Sequence, residues 1–273
     1  MNIVRSSRAA FAGRGFALAS LITFASSAFA EPAAESAGSA EPAWMLGLEL
    51  QRVDTSDNDL RKGDGYSGTR WQGIDYTGRR GDGGRVELTH VASWLRPNDE
   101  LRFVIAPLRD SGTAAPSTPI FFDGAKFPAG VPLSVVYKFN TYRFTYDAPV
   151  WGSLRSNAVE MRLGGTLAIR DARVLVSQPG LSRNFYNWGP VPLLYFSTAI
   201  RPAARLTWMV EFDAFPAPGG GGLFDGVLKA SYAVSRQFAV TAGGRYVDGG
   251  AAGPDFYNHL RQRAAVLGLI ARF

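Results

Sequence analysis

Acid–base chemistry near neutrality needs a group that titrates there. This 273-residue chain has two histidines, His90 and His259. His259 lies near Asp248 and Asp255 in sequence, and an Asp–His couple can polarise water. A loop histidine beside acids is also ordinary solvated surface, and no second acid pair stands opposite it in the pattern. His90 falls inside a strand-like segment. Ser93 is three residues on, and that spacing sends the two side chains to opposite faces of a strand. The Ser–His contact of an activated nucleophile is therefore not built locally. Two separated histidines and scattered acids fix no metal ligand set. The chain has no cysteine, which excludes thiolate metal sites, disulfides and a lipid-modified N-terminal cysteine. The run Gly219 to Gly222 lacks the Lys-Ser/Thr of a phosphate loop and reads as a turn. The expectation is no catalytic residue, no cofactor and no metal.

Charges do recur at one fixed spacing, every second position. From Val159 to Arg170, Val159, Met161, Leu163, Gly165, Leu167 and Ile169 share one face, and Glu160, Arg162, Thr166 and Arg170 the other. A helix would mix these sets; a strand separates them. Similar alternation runs near Trp44, at Thr141 to Tyr146, at Leu206 to Phe215, at Phe238 to Val247 and at the C-terminus. An apolar face suits lipid and a charged face suits the lumen of a barrel. The inward charges expected are Glu160, Arg162, Arg170, Glu211, Asp213, Lys229 and Arg245, with Glu49, Glu87, Arg102, Arg143 and Arg272 as further candidates. Both signs are present, so they can pair and fill a narrow interior. Arg162 is expected to meet Glu211 and Asp213.

Ten strands follow, at about 43–53, 84–95, 99–110, 131–147, 157–176, 188–201, 204–216, 222–234, 237–248 and 259–273. The links 96–98, 148–156, 202–203 and 235–236 are the shorter set. Those at 54–83, 111–130, 177–187, 217–221 and 249–258 are mostly long and rich in Gly, Pro, Asp and Ser. Alternate short and long links are the pattern of an all-β, antiparallel transmembrane barrel with periplasmic termini. Ten strands is the reading and eight the alternative. Trp94, Phe103, Phe144, Tyr146, Trp208 and Phe238 lie near the short links, where an aromatic girdle would sit.

Residues 1–30 carry Arg5, Arg8 and Arg14, then the apolar run Gly15 to Ala25, then Ala28-Phe29-Ala30: the build of a cleaved secretory signal. The run is too short to span a bilayer as a helix. Residues 31–42 read as a flexible leader and 43–273 as the barrel. Cleavage removes three of the positive charges behind the formal net charge of +6, so a basic chain gives no case for nucleic acid. Segment 54–83 mixes Arg61, Lys62, Arg70, Arg79 and Arg80 with six aspartates. Its arginines suit lipid A phosphates; its balance equally suits a solvated loop.

The terminal strand places Leu267, Leu269, Ala271 and Phe273 on one face. An apolar last strand closing on Phe resembles the C-terminal signal of bacterial outer-membrane barrels, which implies recognition of these four residues by the barrel-assembly machinery. The segment Phe121 to Pro149 is similar to a family of small proteobacterial outer-membrane barrels of uncharacterised function, with Phe127 to Gly130 before a strand at Thr141 to Tyr146. Ten strands also resembles the omptin proteases; that resemblance implies paired Asp residues and an Asp–His couple at the outer rim, for which only His259 qualifies. The expected function is a non-enzymatic outer-membrane barrel with an envelope-structural or surface-interaction role, touching outer-membrane lipids and lipopolysaccharide. The alternatives are a small-solute channel and a surface enzyme of the omptin or lipid-modifying type.

N-terminal sequencing of the protein from separated membranes should find a chain that begins at Glu31. A chain still beginning at Met1 would overturn the export reading.

Overall fold

The computed structural model describes residues 43–63, 67–92, 96–154, 158–217 and 221–273. The expected signal (1–30), the leader (31–42), Ser93 and Trp94 lie outside the described residues.

In chain order the elements are β1 (Trp44–Lys62), β2 (Trp71–Gln72), α1 (Ile74–Thr77), β3 (Arg80–Ala92), β4 (Asp99–Ala106), β5 (Arg109–Ala114), β6 (Ile120–Phe122), β7 (Ala125–Phe127), β8 (Leu133–Gly152), β9 (Val159–Gln178), β10 (Leu181–Ala203), β11 (Leu206–Ala217), β12 (Gly221–Ala233), β13 (Phe238–Ala252) and β14 (Phe256–Arg272). Every strand pairing is antiparallel, and β14 returns to pair with β1. β5 continues β4 along β8 after a break at Pro107 and Leu108. β2 covers only the far end of β1. The wall is therefore a closed barrel of ten strands. Phe273 locks the seam: its N–H donates to Trp44 O at 3.0 Å, and Trp44 N–H donates to Phe273 O at 2.9 Å.

Following the register from Trp44 through each neighbour in turn returns to β1 at Asp57. This stagger tilts the strands against the barrel axis.

The side chains are inside out relative to a soluble protein. Leu163, Leu167, Leu194, Leu228 and Leu267 are exposed on the wall, while Arg143, Arg162, Glu211, Asp225 and Lys229 are buried within it. Leu269 and Phe273 are exposed beside Leu267, with Ala271 in phase on the same strand. An exterior row of rings crosses four strands: Phe196 to Phe212 at 5.2 Å, Phe212 to Phe224 at 5.9 Å and Phe224 to Tyr246 at 6.3 Å.

The links differ from expectation at the far end. Segment 177–187 is strand: Gln178 pairs with Leu181 around a tight turn at Gly180, whose φ is 76°. β1 runs on to Lys62, and β13 to Ala252. The reason is physical. Beyond the apolar band both faces of a strand are wet, so alternation stops while the backbone ladder continues. What remains of segments 54–83 and 111–130 folds over the mouth. β2, α1 and the β6–β7 hairpin bring Trp71, Ile120, Phe122 and Phe127 against Leu133, Val135 and Tyr137 in one buried cluster.

If the exposed leucines face lipid, Leu163→Arg should lower the unfolding free energy in lipid vesicles by ~2–4 kcal/mol, while Leu163→Phe is tolerated. A neutral Leu163→Arg would remove the wall from the bilayer.

Candidate functional site

The interior has three levels: a charged layer near the short turns, a cavity above it, and the apolar cluster across the mouth. Alternation creates the first. On β9, Glu160 and Arg162 point inward because Met161 and Leu163 point out. The same parity on β11 sends in Glu211 and Asp213, and on β12 Asp225 and Lys229.

Asp147, with no exposed surface, is the hub nearest the turns. Arg162 Nε donates to it at 2.5 Å and Arg102 Nε lies 3.3 Å away. Arg162 also reaches Glu160 at 3.1 Å and Glu100 at 3.5 Å. Arg102 meets Glu100 at 3.0 Å, Glu211 at 3.5 Å and Glu87 at 3.6 Å. Lys229 bridges Glu49 at 3.2 Å and Glu211 at 3.7 Å, and Arg85 pairs with Glu87 at 2.7 Å. One step higher, Arg143 binds Asp213 at 2.7 Å and also Asp225. Arg245 Nε donates to Asp225 at 2.8 Å. Thr166 donates to Asp213 at 2.6 Å.

Arg162 thus lies away from the partners expected for it. Glu211 is two strands distant along the register, through Ser197, whereas Asp147 on adjacent β8 is a diagonal neighbour. Adjacent strands are only about 4.8 Å apart, so the nearer acid wins. Asp225, Asp147 and Glu100 were absent from the sequence reading. Asp225 was within reach of it, being two alternations from Lys229.

Arg170 is set apart. It faces inward in phase with Arg162, yet its Nε is buried without a hydrogen-bond partner, and it lines the cavity, which measures about 380 Å³. The ion-paired Arg143, Asp225 and Arg245 form part of the cavity floor.

The histidines lie elsewhere. His90 stacks on Trp44 at 4.2 Å, and its Nδ1 is 3.0 Å from Ala43 O. His259 shares the outward face of β14 with Leu267. Its Nδ1 is 2.9 Å from Asp57 and its Nε2 is 2.9 Å from Asp248. Both ring nitrogens face carboxylates, so neither points at an open position beside the ring. At the mouth, Asp59 bonds Arg70 and holds its guanidinium above the usual value; burial raises the Tyr76 phenol.

No family model and no curated protein matches the chain. Solved structures do. The outer-membrane protease OmpT from Escherichia coli is similar with a TM-score of 0.52 and 9% identity, over 84% of this chain and 96% of that one. Neisserial surface protein A aligns over 86% of this chain and 100% of its own at 15% identity, with a TM-score of 0.36. Omp33 of Acinetobacter baumannii aligns over 85% and 99% at 14% identity, with a TM-score of 0.30. At such identity the OmpT likeness carries the closed β-barrel fold and no activity.

Proposed function

We propose that this chain is a non-enzymatic integral protein of the bacterial outer membrane, with an envelope-structural or surface-interaction role and a lumen sealed to solutes. Both termini and the short turns lie in the periplasm, as the lengths of the links favour. The observation that carries the reading is the two-step ion-pair network from Arg102, Asp147 and Arg162 to Arg143, Asp213 and Asp225. A water-filled pore would solvate such groups separately. Here they neutralise one another in a low-dielectric interior, where an unpaired charge is costly. The apolar cluster at the mouth adds a second barrier. A surface enzyme is disfavoured because both His259 nitrogens are directed at Asp57 and Asp248 and not at a site where a substrate or water would be held.

Planar bilayers holding the refolded mature protein should show no stable conductance. Steady openings of the wild type would replace this reading with the channel.

The network itself is tested by Arg143→Leu, which strips Asp213 of its cation. The unfolding free energy should fall by ~3–5 kcal/mol. Adding Asp213→Asn should restore part of the loss. A neutral Arg143→Leu would mean that water already separates these charges.

A further inference from the structure

The wall is incomplete between β10 and β11. Their ladder runs up to Leu194 and Ala214 and stops, although β10 extends on to Leu181 and β11 to Ala217. Backbone direction gives the cause. Arg201 N–H donates to Ala158 O on the β9 side, so odd-numbered residues of β10 address β9 and even-numbered ones address β11. Ala233 N–H donates to Arg205 O, so even-numbered residues of β11 address β10. The next hydrogen-bonded rung after Leu194 and Ala214 would set Pro192 against Pro216. Neither has an N–H to give. The rung after that would set Pro190 against position 218, also proline in the sequence and outside the described residues. A ladder cannot pass rungs that have no donors. The notch is written into prolines on facing strands, Pro190 and Pro192 on β10 and Pro216 on β11.

The notch opens beside the cavity, whose walls include Pro190, Val191, Pro192 and Phe215. Val53, Phe139 and Leu260 add apolar wall on the other sides. Arg170 stands next to the notch, paired in register with Gly189. A Cβ at Gly189 would meet nothing within 4 Å, so open space lies beside the guanidinium. Among the described residues no carboxylate pairs with Arg170. Outside, at the same height, exposed Trp188 and Tyr186 and the Lys138–Asp171 pair at 2.7 Å mark where the apolar band ends. The notch therefore sits where lipid chains meet headgroups.

We propose that the notch and cavity form a binding site for a single-chain carboxylate amphiphile, a fatty acid, admitted sideways from the outer leaflet. The apolar walls take the hydrocarbon and Arg170 takes the carboxylate. The inference deepens the sealed-barrel reading and rests on it. The cavity has the size of a site for one small ligand, which suits one chain rather than the several chains of a membrane lipid. Arg170 is half-buried, its Nε is buried without a hydrogen-bond partner, and no carboxylate faces it among the described residues; an entering carboxylate would supply the fork of two parallel hydrogen bonds that a guanidinium accommodates.

The test is calorimetric titration of decanoate and of decanol into the full mature protein, refolded in maltoside micelles and checked for heat-modifiable mobility. The wild type should bind both. Arg170→Gln should weaken decanoate about tenfold or more and leave decanol unchanged. Gly189→Leu, whose Cβ enters open space, should weaken both. Pro192→Thr combined with Pro216→Thr supplies the missing donors and should slow decanoate association. Decanoate affinity indifferent to Arg170→Gln, or a folded wild type that binds no decanoate, overturns the site. An unchanged association rate in the double threonine variant overturns the lateral route. A protein silent in planar bilayers that binds no decanoate refutes this inference alone; a conducting protein refutes the sealed-barrel reading.

Discussion

Backbone hydrogen bonding in an apolar surround is the constraint on which everything else here depends. A strand whose N–H and C=O groups meet lipid must find its partners in neighbouring strands, and only a closed sheet leaves no edge. That requirement makes β14 return to β1 and makes the terminal residue structural. Phe273 exchanges both backbone bonds with Trp44, so the seam closes on the last residue of the chain. Closure then fixes side-chain parity on every strand, and parity decides which residues are in the lumen.

The lumen has its own difficulty. Ten strands enclose more space than apolar side chains from alternate positions would fill, and the inward positions are rich in Arg, Asp and Glu. Long charged side chains span the gap. They are tolerable because each meets opposite charge: Asp147 between Arg102 and Arg162, and Asp225 between Arg143 and Arg245. Such a network adds little net stability compared with an apolar core. It does make the interior intolerant of a missing partner, which is why the unpaired Arg170 stands out.

Much of the fold was legible in the sequence because lipid on one side and a charged lumen on the other impose the strictest alternation a strand can show. Val159 to Arg170 displays it without a fault, and its phase places Glu160, Arg162 and Arg170 on the inner face. Legibility failed where that contrast fails. Ser182, Asn184 and Asn187 look like loop, yet they lie in β10, since above the apolar band a polar residue is acceptable on either face. Ion-pair partners were less legible still. Which acid Arg162 meets depends on register between strands, and alternation within one strand carries no register. Asp225 was within reach, because Lys229 already fixed the phase of β12.

The prolines of β10 and β11 belong to the same class of hidden information. In one dimension Pro190 and Pro192 say only that a helix is excluded. With the register known, they are two successive rungs on the edge facing β11, and continuing that register sets Pro216 opposite Pro192. Proline on one strand would suffice to protect a bare edge from other chains. Proline on both strands at the same rung also prevents the two from pairing with each other. The opening is then a property of both strands at once, placed where the wall meets the cavity. That doubling separates a gap kept open by its sequence from a ladder that merely ends early, as the β3–β4 ladder does at Val86 and Ile105.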